Sequence, residues 1–293
     1  MFDRLCIIGI GLIGGSIARA ARAQGLCRQV VAYGREKNLP NMQRAVDLGV
    51  IDAYYTNISE ALTGADGVII ATPVGTMPAL FEQLKPYWNS KTLYSDAGST
   101  KGSVVESLRA VFGEVPSNFV PAHPIAGAER SGVEASTVDL FKNRRLILTP
   151  LDNTDHLLVE KLSEFWRRLG SSVAVMSVEH HDTVLAATSH LPHILAFALV
   201  GLLGRKDEQR EIFKYAAGGF KDFSRIASSD PTMWLDICLA NKQEIIPLIQ
   251  QFQAELTHIE DLLQHNQAQS LYETFNYARQ ARQRFLDTLD DPS

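Results

Sequence analysis

The chain has 293 residues, 45% hydrophobic and 21% charged, with a formal net charge of −5. That is more chain than one hydrophobic core usually spans, so two domains are expected. An acidic balance without clustered Lys and Arg argues against a nucleic-acid partner, while leaving room for a local cationic pocket that takes a small anion.

The amino-terminal apolar run from Leu5 to Ala18 makes a poor signal peptide, because glycines at 9, 11, 14 and 15 break it up. It is also too short to span a membrane. The stretch from Ala186 to Gly204 comes closest to doing so, but it holds two histidines and a proline, so no membrane partner is expected. Cys6, Cys27 and Cys238 are scattered and form no CxxC pair. A reducing, cytoplasmic setting is the simplest reading.

In chain order, Arg4 to Ile8 reads as a first strand, and Leu12 to Gln24 as a helix stopped by Gly25. A second strand is expected over Gln29 to Tyr33, then a helix over Asn41 to Leu48 closed by Gly49. A third strand is expected over Gly67 to Ala71, a fourth over Thr92 to Ser95, a fifth over Asn118 to Pro121 and a sixth over Arg145 to Thr149. Apolar strands separated by helices imply a parallel sheet covered on both faces. From residue 179 onward only helical periodicity remains. Ile245, Ile246, Leu248, Ile249, Phe252, Leu256, Ile259, Leu262 and Leu263 form a broad apolar stripe.

Gly9-Ile10-Gly11-Leu12-Ile13-Gly14 sits between the first strand and the first helix. This GxGxxG is in the strand–turn–helix context that a dinucleotide-binding loop requires. The first glycine permits the tight turn, the second lets a pyrophosphate reach the backbone, and the third lets helix and strand pack closely. The predicted fold class is therefore α/β: a Rossmann-like doubly wound parallel sheet domain over residues 1–178, followed by an all-α domain over residues 179–293. Gly9, Gly11, Leu12, Ile13 and Gly14, with Thr72 and Pro73 after the third strand, are expected to hold the cofactor. The second strand ends Gly34-Arg35-Glu36-Lys37. Arg35 stands roughly where an NAD site carries an acid, which favours the 2′-phosphate of NADP. If Glu36 faces the ribose instead, NAD is preferred.

Two further segments fall on the edge where a nicotinamide would lie: Asp96 to Lys101 after the fourth strand, and His123 to Gly127 after the fifth. The second half adds Ser189-His190-Leu191-Pro192-His193 and the run Gly218 to Ala227. There Lys221 and Arg225 are four apart and share a face if the run is helical. Flanking Phe220, Phe223 and Ile226 imply burial, and a buried cation needs an anion, here a substrate carboxylate. His180, His181, His190 and His193 raise the question of a metal. On one helix His181 and His190 would point about 180° apart. Pro192 argues against a straight helix through this region, and no carboxylate or cysteine completes a set, so no metal is expected.

Together GxGLIGGS, DAGSTKG, HPIAGAERSG, the HD and SHLPH stretch and GGFKDFSRIASSDPTMW resemble, in order, the prephenate/arogenate dehydrogenases of tyrosine biosynthesis. The resemblance covers nearly the whole chain. It implies a nicotinamide-binding domain and an all-helical dimerisation domain, hence a homodimer. It also implies oxidative decarboxylation of prephenate to 4-hydroxyphenylpyruvate, or of arogenate to tyrosine. His123 matches the family's catalytic histidine, and Ser99 would bond the same substrate hydroxyl. Arg225 would clamp a carboxylate, with His193 and His190 lining the pocket and Lys221 nearby. Another two-domain dehydrogenase of the β-hydroxyacid dehydrogenase or imine reductase type would lack the HP and GGFKDFSR segments. A dinucleotide-sensing regulator would need no His123 together with Ser99 and Arg225.

Overall fold

The computed structural model describes residues 1–128, 130–206 and 211–290. Strands β1 (Phe2–Ile8), β2 (Cys27–Tyr33), β3 (Ala53–Tyr55), β4 (Gly67–Ile70), β5 (Leu93–Asp96) and β6 (Phe119–Val120) form one parallel sheet in the order β3-β2-β1-β4-β5-β6. Helices α1 (Leu12–Ala23), α2 (Leu39–Asp47), α3 (Ile58–Leu62), α4 (Met77–Leu84) and α5 (Gly102–Phe112) link the strands. β1 alternates between two cores: Leu5 and Ile7 belong to one, Cys6 and Ile8 to the other. A sheet buried on both faces follows from this continuous apolar pattern. The chain moves outward from β1 to β3 and then returns to β4, so strand order reverses between β1 and β4. A crevice opens at the carboxyl ends of these two strands.

Two expectations are corrected. β3, a half-exposed edge strand of three residues, carries too little pattern to be read from sequence. The expected sixth strand does not join the main sheet. β8 (Arg145–Leu148) pairs antiparallel with β7 (Ala122–Pro124) and parallel with β9 (Ser172–Val175). Pro121, with no N–H to give a ladder, separates β6 from β7 and lets the chain turn into this second sheet. α6 (His156–Arg168) connects β8 and β9.

Beyond Val178 the described residues form helices joined by short loops, with no strand. α7 (Val178–Leu185), a π turn over Ala186–His190 and α8 (Leu191–Lys206) run on without interruption. This run of 29 residues contains an 18-residue window of mean hydropathy 1.6, long and apolar enough by length and composition to cross a membrane. Pro192, expected to rule out a straight helix here, does not end the run. The wider π turn, one residue before α8, accommodates the proline ring that a regular turn would exclude. Then come α9 (Glu211–Lys214), α10 (Gly218–Ser224), a 3₁₀ turn at Arg225–Ser228, α11 (Pro231–Ala240), α12 (Lys242–Gln264) and α13 (Ala268–Asp290).

By compactness the chain divides into residues 1–244 and 245–293. In the first unit α7 packs on α5, and α11 packs on the turn Val74–Thr76, so these helices join the sheet half. The second unit holds most of α12 and all of α13. Its Leu262 is buried, but Ile246, Leu256 and Leu263 of the expected stripe are at least half exposed, as are Tyr272, Phe275, Tyr277 and Phe285.

Candidate active site

The loop from β1 to α1 is shaped by its glycines. Gly9 has φ +95°, and a Cβ there would lie 2.8 Å from both the Ala71 carbonyl and Thr72 Cγ2. A Cβ on Gly14 would overlap the Gly9 carbonyl, so helix and loop touch backbone to backbone. Gly11 has no neighbour within 4 Å of its missing Cβ. α1 begins at Leu12, so the unpaired N–H groups of its first turn adjoin that space. Asn41 pins the loop: its amide donates to the Ile10 carbonyl at 2.6 Å and its carbonyl accepts from Val133 N–H at 3.0 Å. At the end of β4 the buried Thr72 hydroxyl has no partner among the described residues. An open backbone cradle at a helix N-terminus and an orphaned hydroxyl across the crevice fit a dinucleotide.

Beyond β2, Arg35 is exposed in extended conformation, and Glu36, also exposed, opens a short 3₁₀ turn. Gly34 faces the Met42 thioether, which a Cβ would overlap.

A chain of buried polar groups lies at the carboxyl edge of the sheet. His123 sits in the middle of β7, opposite Ile147 of β8, and is 9% exposed. Its Nδ1 is 2.9 Å from Nε2 of His181, whose Nδ1 is 2.7 Å from Asp182 Oδ1. Asp182 also accepts from the backbone N–H groups of Lys101 and Gly102, each at 2.8 Å. Burial alone would raise the Asp182 carboxyl, but the bonds from His181, Lys101 and Gly102 outweigh it and hold it below its usual value. Asp182 is therefore a carboxylate, and it fixes the proton of His181 on Nδ1. His181 Nε2 then accepts, so His123 donates from Nδ1 and keeps a lone pair on Nε2. Burial first, then His181, Lys101 and His190, push the His123 pKa well below 6.5. The ring is neutral near pH 7 and able to take a proton.

His190 is buried and accepts at Nδ1 from the Asn241 amide, 3.1 Å away; the same amide reaches the Asp182 carbonyl at 2.9 Å. His193 donates from Nδ1 to the Ser189 carbonyl at 2.8 Å and stacks on Trp234 with centroids 3.7 Å apart. Burial lowers the His193 pKa, and the nearby Arg225 charge adds to that effect. Arg225 lines an open cavity of about 470 Å³ with Ala128, Arg130, Glu134 and Ala135.

The expected placements hold unevenly. Ser99 lies partly exposed on the loop after β5, and among the described residues no hydrogen bond joins it to His123. Lys221 and Arg225 are exposed, as is Phe223, which corrects the burial inferred from the flanking aromatics. The seven-residue α10 packs along α8 on one side and leaves its other face open. His181, Asp182, Asp96, Lys101 and Asn241 were given no role from sequence. The adjacent His-Asp pair and the acid and lysine of DAGSTKG were the available signals.

Comparisons with known proteins identify the family. Residues 17–175 match the family model of the prephenate dehydrogenase nucleotide-binding domain, and residues 177–277 match that of the prephenate dehydrogenase dimerization domain. The chain is 34% identical over 285 residues to a cyclohexadienyl dehydrogenase of Zymomonas mobilis, covering 96% of each. It is 37% identical over 290 residues to a prephenate dehydrogenase of Bacillus subtilis, covering 96% of this chain and 76% of that one. A crystal structure of Aquifex aeolicus prephenate dehydrogenase in complex with hydroxyphenyl propionate and NAD+ superposes with a TM-score of 0.90 at 36% identity, covering 97% of this chain and 99% of that one. With both domains matched in order along the chain, this protein is an NAD(P)-dependent dehydrogenase that belongs to the prephenate dehydrogenase family.

Proposed function

We propose that the chain catalyses the oxidative decarboxylation of prephenate, arogenate or both, with hydride transfer to NAD(P)+, and that His123 is the general base. The observation that carries this is the neutral His123 ring, its Nδ1 engaged by the His181–Asp182 pair and its Nε2 left with a lone pair. NAD(P)+, when bound, would supply the hydride acceptor; Gly9, Gly11, Leu12, Ile13 and Gly14 would hold its pyrophosphate, with Thr72 and Pro73 beside them.

The substrate hydroxyl gives its proton to His123 Nε2 as hydride leaves the same carbon and a carbonyl forms. The ring carboxylate then departs as CO₂, and its bonding pair completes the aromatic ring as the oxygen takes up a proton. Positive charge arising on His123 is shared across the His181 contact and stabilised by the Asp182 carboxylate. Ser99 contacts the reacting hydroxyl from the neighbouring loop. Arg225 binds a substrate carboxylate as a planar fork, and His193, His190 and Lys221 surround the rest of the molecule. Residues 179–293 form the helical domain through which two chains pair as a homodimer.

NADP+ is used at least as well as NAD+. β2 ends without the acid that would repel a 2′-phosphate, and Arg35 follows it, exposed and extended. Nicotinamide reduction, followed by absorbance with prephenate and arogenate each crossed against NAD+ and NADP+, tests the whole reading. Turnover with neither substrate overturns it. Strong NAD+ preference that Arg35→Ala does not alter overturns the cofactor assignment alone.

A further inference from the structure

Lys101 has no exposed surface, and its ammonium meets the equally buried Asp96 carboxylate. The same ammonium donates to the Ala122 carbonyl at 2.6 Å, while the other Asp96 oxygen accepts from Ala122 N–H at 3.1 Å. Ala122 immediately precedes His123. β8 pairs with one edge of β7, and on the opposite edge Asp96 and Lys101 take both backbone groups of Ala122, as a neighbouring strand would. The backbone N–H groups of Lys101 and Gly102 hold Asp182, each at 2.8 Å, bonds that do not depend on the lysine side chain.

A buried ion pair is weak evidence for stability, because apolar residues of similar volume often do as well. Apolar residues could not bond the Ala122 backbone, nor set a cation near His123. We propose that Lys101 is the positioning residue of the dehydrogenation, its side chain anchoring His123 through Ala122. The proposal rests on His123 being the base. The charged and titratable groups about His123 are Asp96 and Lys101 from the β5–α5 segment, His181 and Asp182 from α7, and His190 from the π turn. Of these, Lys101 is the basic group: burial lowers its pKa, the Asp96 charge and hydrogen bond oppose that, and its charge disfavours a proton on His123.

The test is the pH profile of nicotinamide reduction with prephenate for wild type, His123→Asn, Lys101→Met and Asp96→Asn/Lys101→Met, with NAD(P)+ Kd as the check on folding. Lys101→Met should lower kcat about tenfold or more with little change in KM, as a small displacement at a reacting centre does. It should also move the acid limb of kcat to higher pH by about one unit or more, since a cation is gone and Asp96 is left unpaired. The double variant replaces the pair with neutral groups, so its limb returns near the wild-type position while kcat stays low. If Lys101→Met does not fold, the double variant decides: wild-type kcat overturns the proposal, and low kcat with wild-type Kd upholds it. A limb that vanishes in His123→Asn but does not move in Lys101→Met overturns the proposal alone. A limb that persists in His123→Asn overturns the base assignment, and the proposal with it.

Discussion

His190 is set into the fold as a neutral ring, and this makes the protein acid-sensitive. Burial takes its pKa from 6.5 to about 4. In the unfolded chain the ring titrates near its ordinary value. Above that value neither state binds the proton, and stability is unaffected. As pH falls from 6.5 toward 4 the unfolded state alone takes it up, and stability is lost at about 1.4 kcal/mol per unit, or about 2 kcal/mol by pH 5. Melting temperatures at about pH 7.5 and about pH 5 should therefore fall less for His190→Gln than for wild type; equal falls would remove His190 as a cause. Arg225, exposed beside the cavity, should act on binding. Arg225→Ala is expected to raise the substrate KM roughly ten- to a hundredfold with kcat little changed, the scale of one charge-assisted hydrogen bond. An unaltered KM would place Arg225 outside the site. His123 was legible in sequence because its motif follows a strand end. Its partners were not, since His181 lies 58 residues away and Lys101 meets Asp182 across 81. Only tertiary packing brings them together.

At the scale of elements, the strand–loop–helix junction is the part most tightly specified by sequence. Gly14→Ala puts a methyl into the Gly9 carbonyl, and the backbone there must move. The expected cost is about 1–3 kcal/mol of stability, together with a raised NAD(P)+ Kd, read by thermal melting and by fluorescence titration. Unchanged cofactor affinity would mean that helix and loop need not be so close. The glycine spacing, the apolar runs of β1 and β4 and the switch to helical periodicity were all readable, because each is a local pattern. The separate sheet of β7, β8 and β9 was not. Strand length and hydrophobicity do not say which sheet a strand joins, and Pro121 lies at the break. The π turn before Pro192 was hidden for the opposite reason. A rule about proline in regular helices holds only while the helix stays regular, and here the extra residue per turn removes the clash.

At the scale of the whole molecule, the exposed apolar residues of α12 and α13, with exposed Leu235 and Leu239 of α11 and Leu202 of α8, are more than a stable monomer usually leaves to water. They lie in the span matched by the family's dimerization domain or just beyond it. Sedimentation at micromolar concentration should give twice the 32.4 kDa chain mass; a clean monomer would contradict the proposed pairing. The succession of a sheet half and a helical half was legible from the change of periodicity. The compact division at 244 was not, because helices through α11 pack back onto the sheet half by contacts that periodicity does not encode. The central claim is that His123 accepts the proton of an oxidised hydroxyl. The most direct test is steady-state nicotinamide reduction by wild type and His123→Asn, with NAD(P)+ affinity measured alongside. The account predicts kcat lower by about 10²–10⁴ with cofactor Kd unchanged; a His123→Asn enzyme that turns over at the wild-type rate would contradict it.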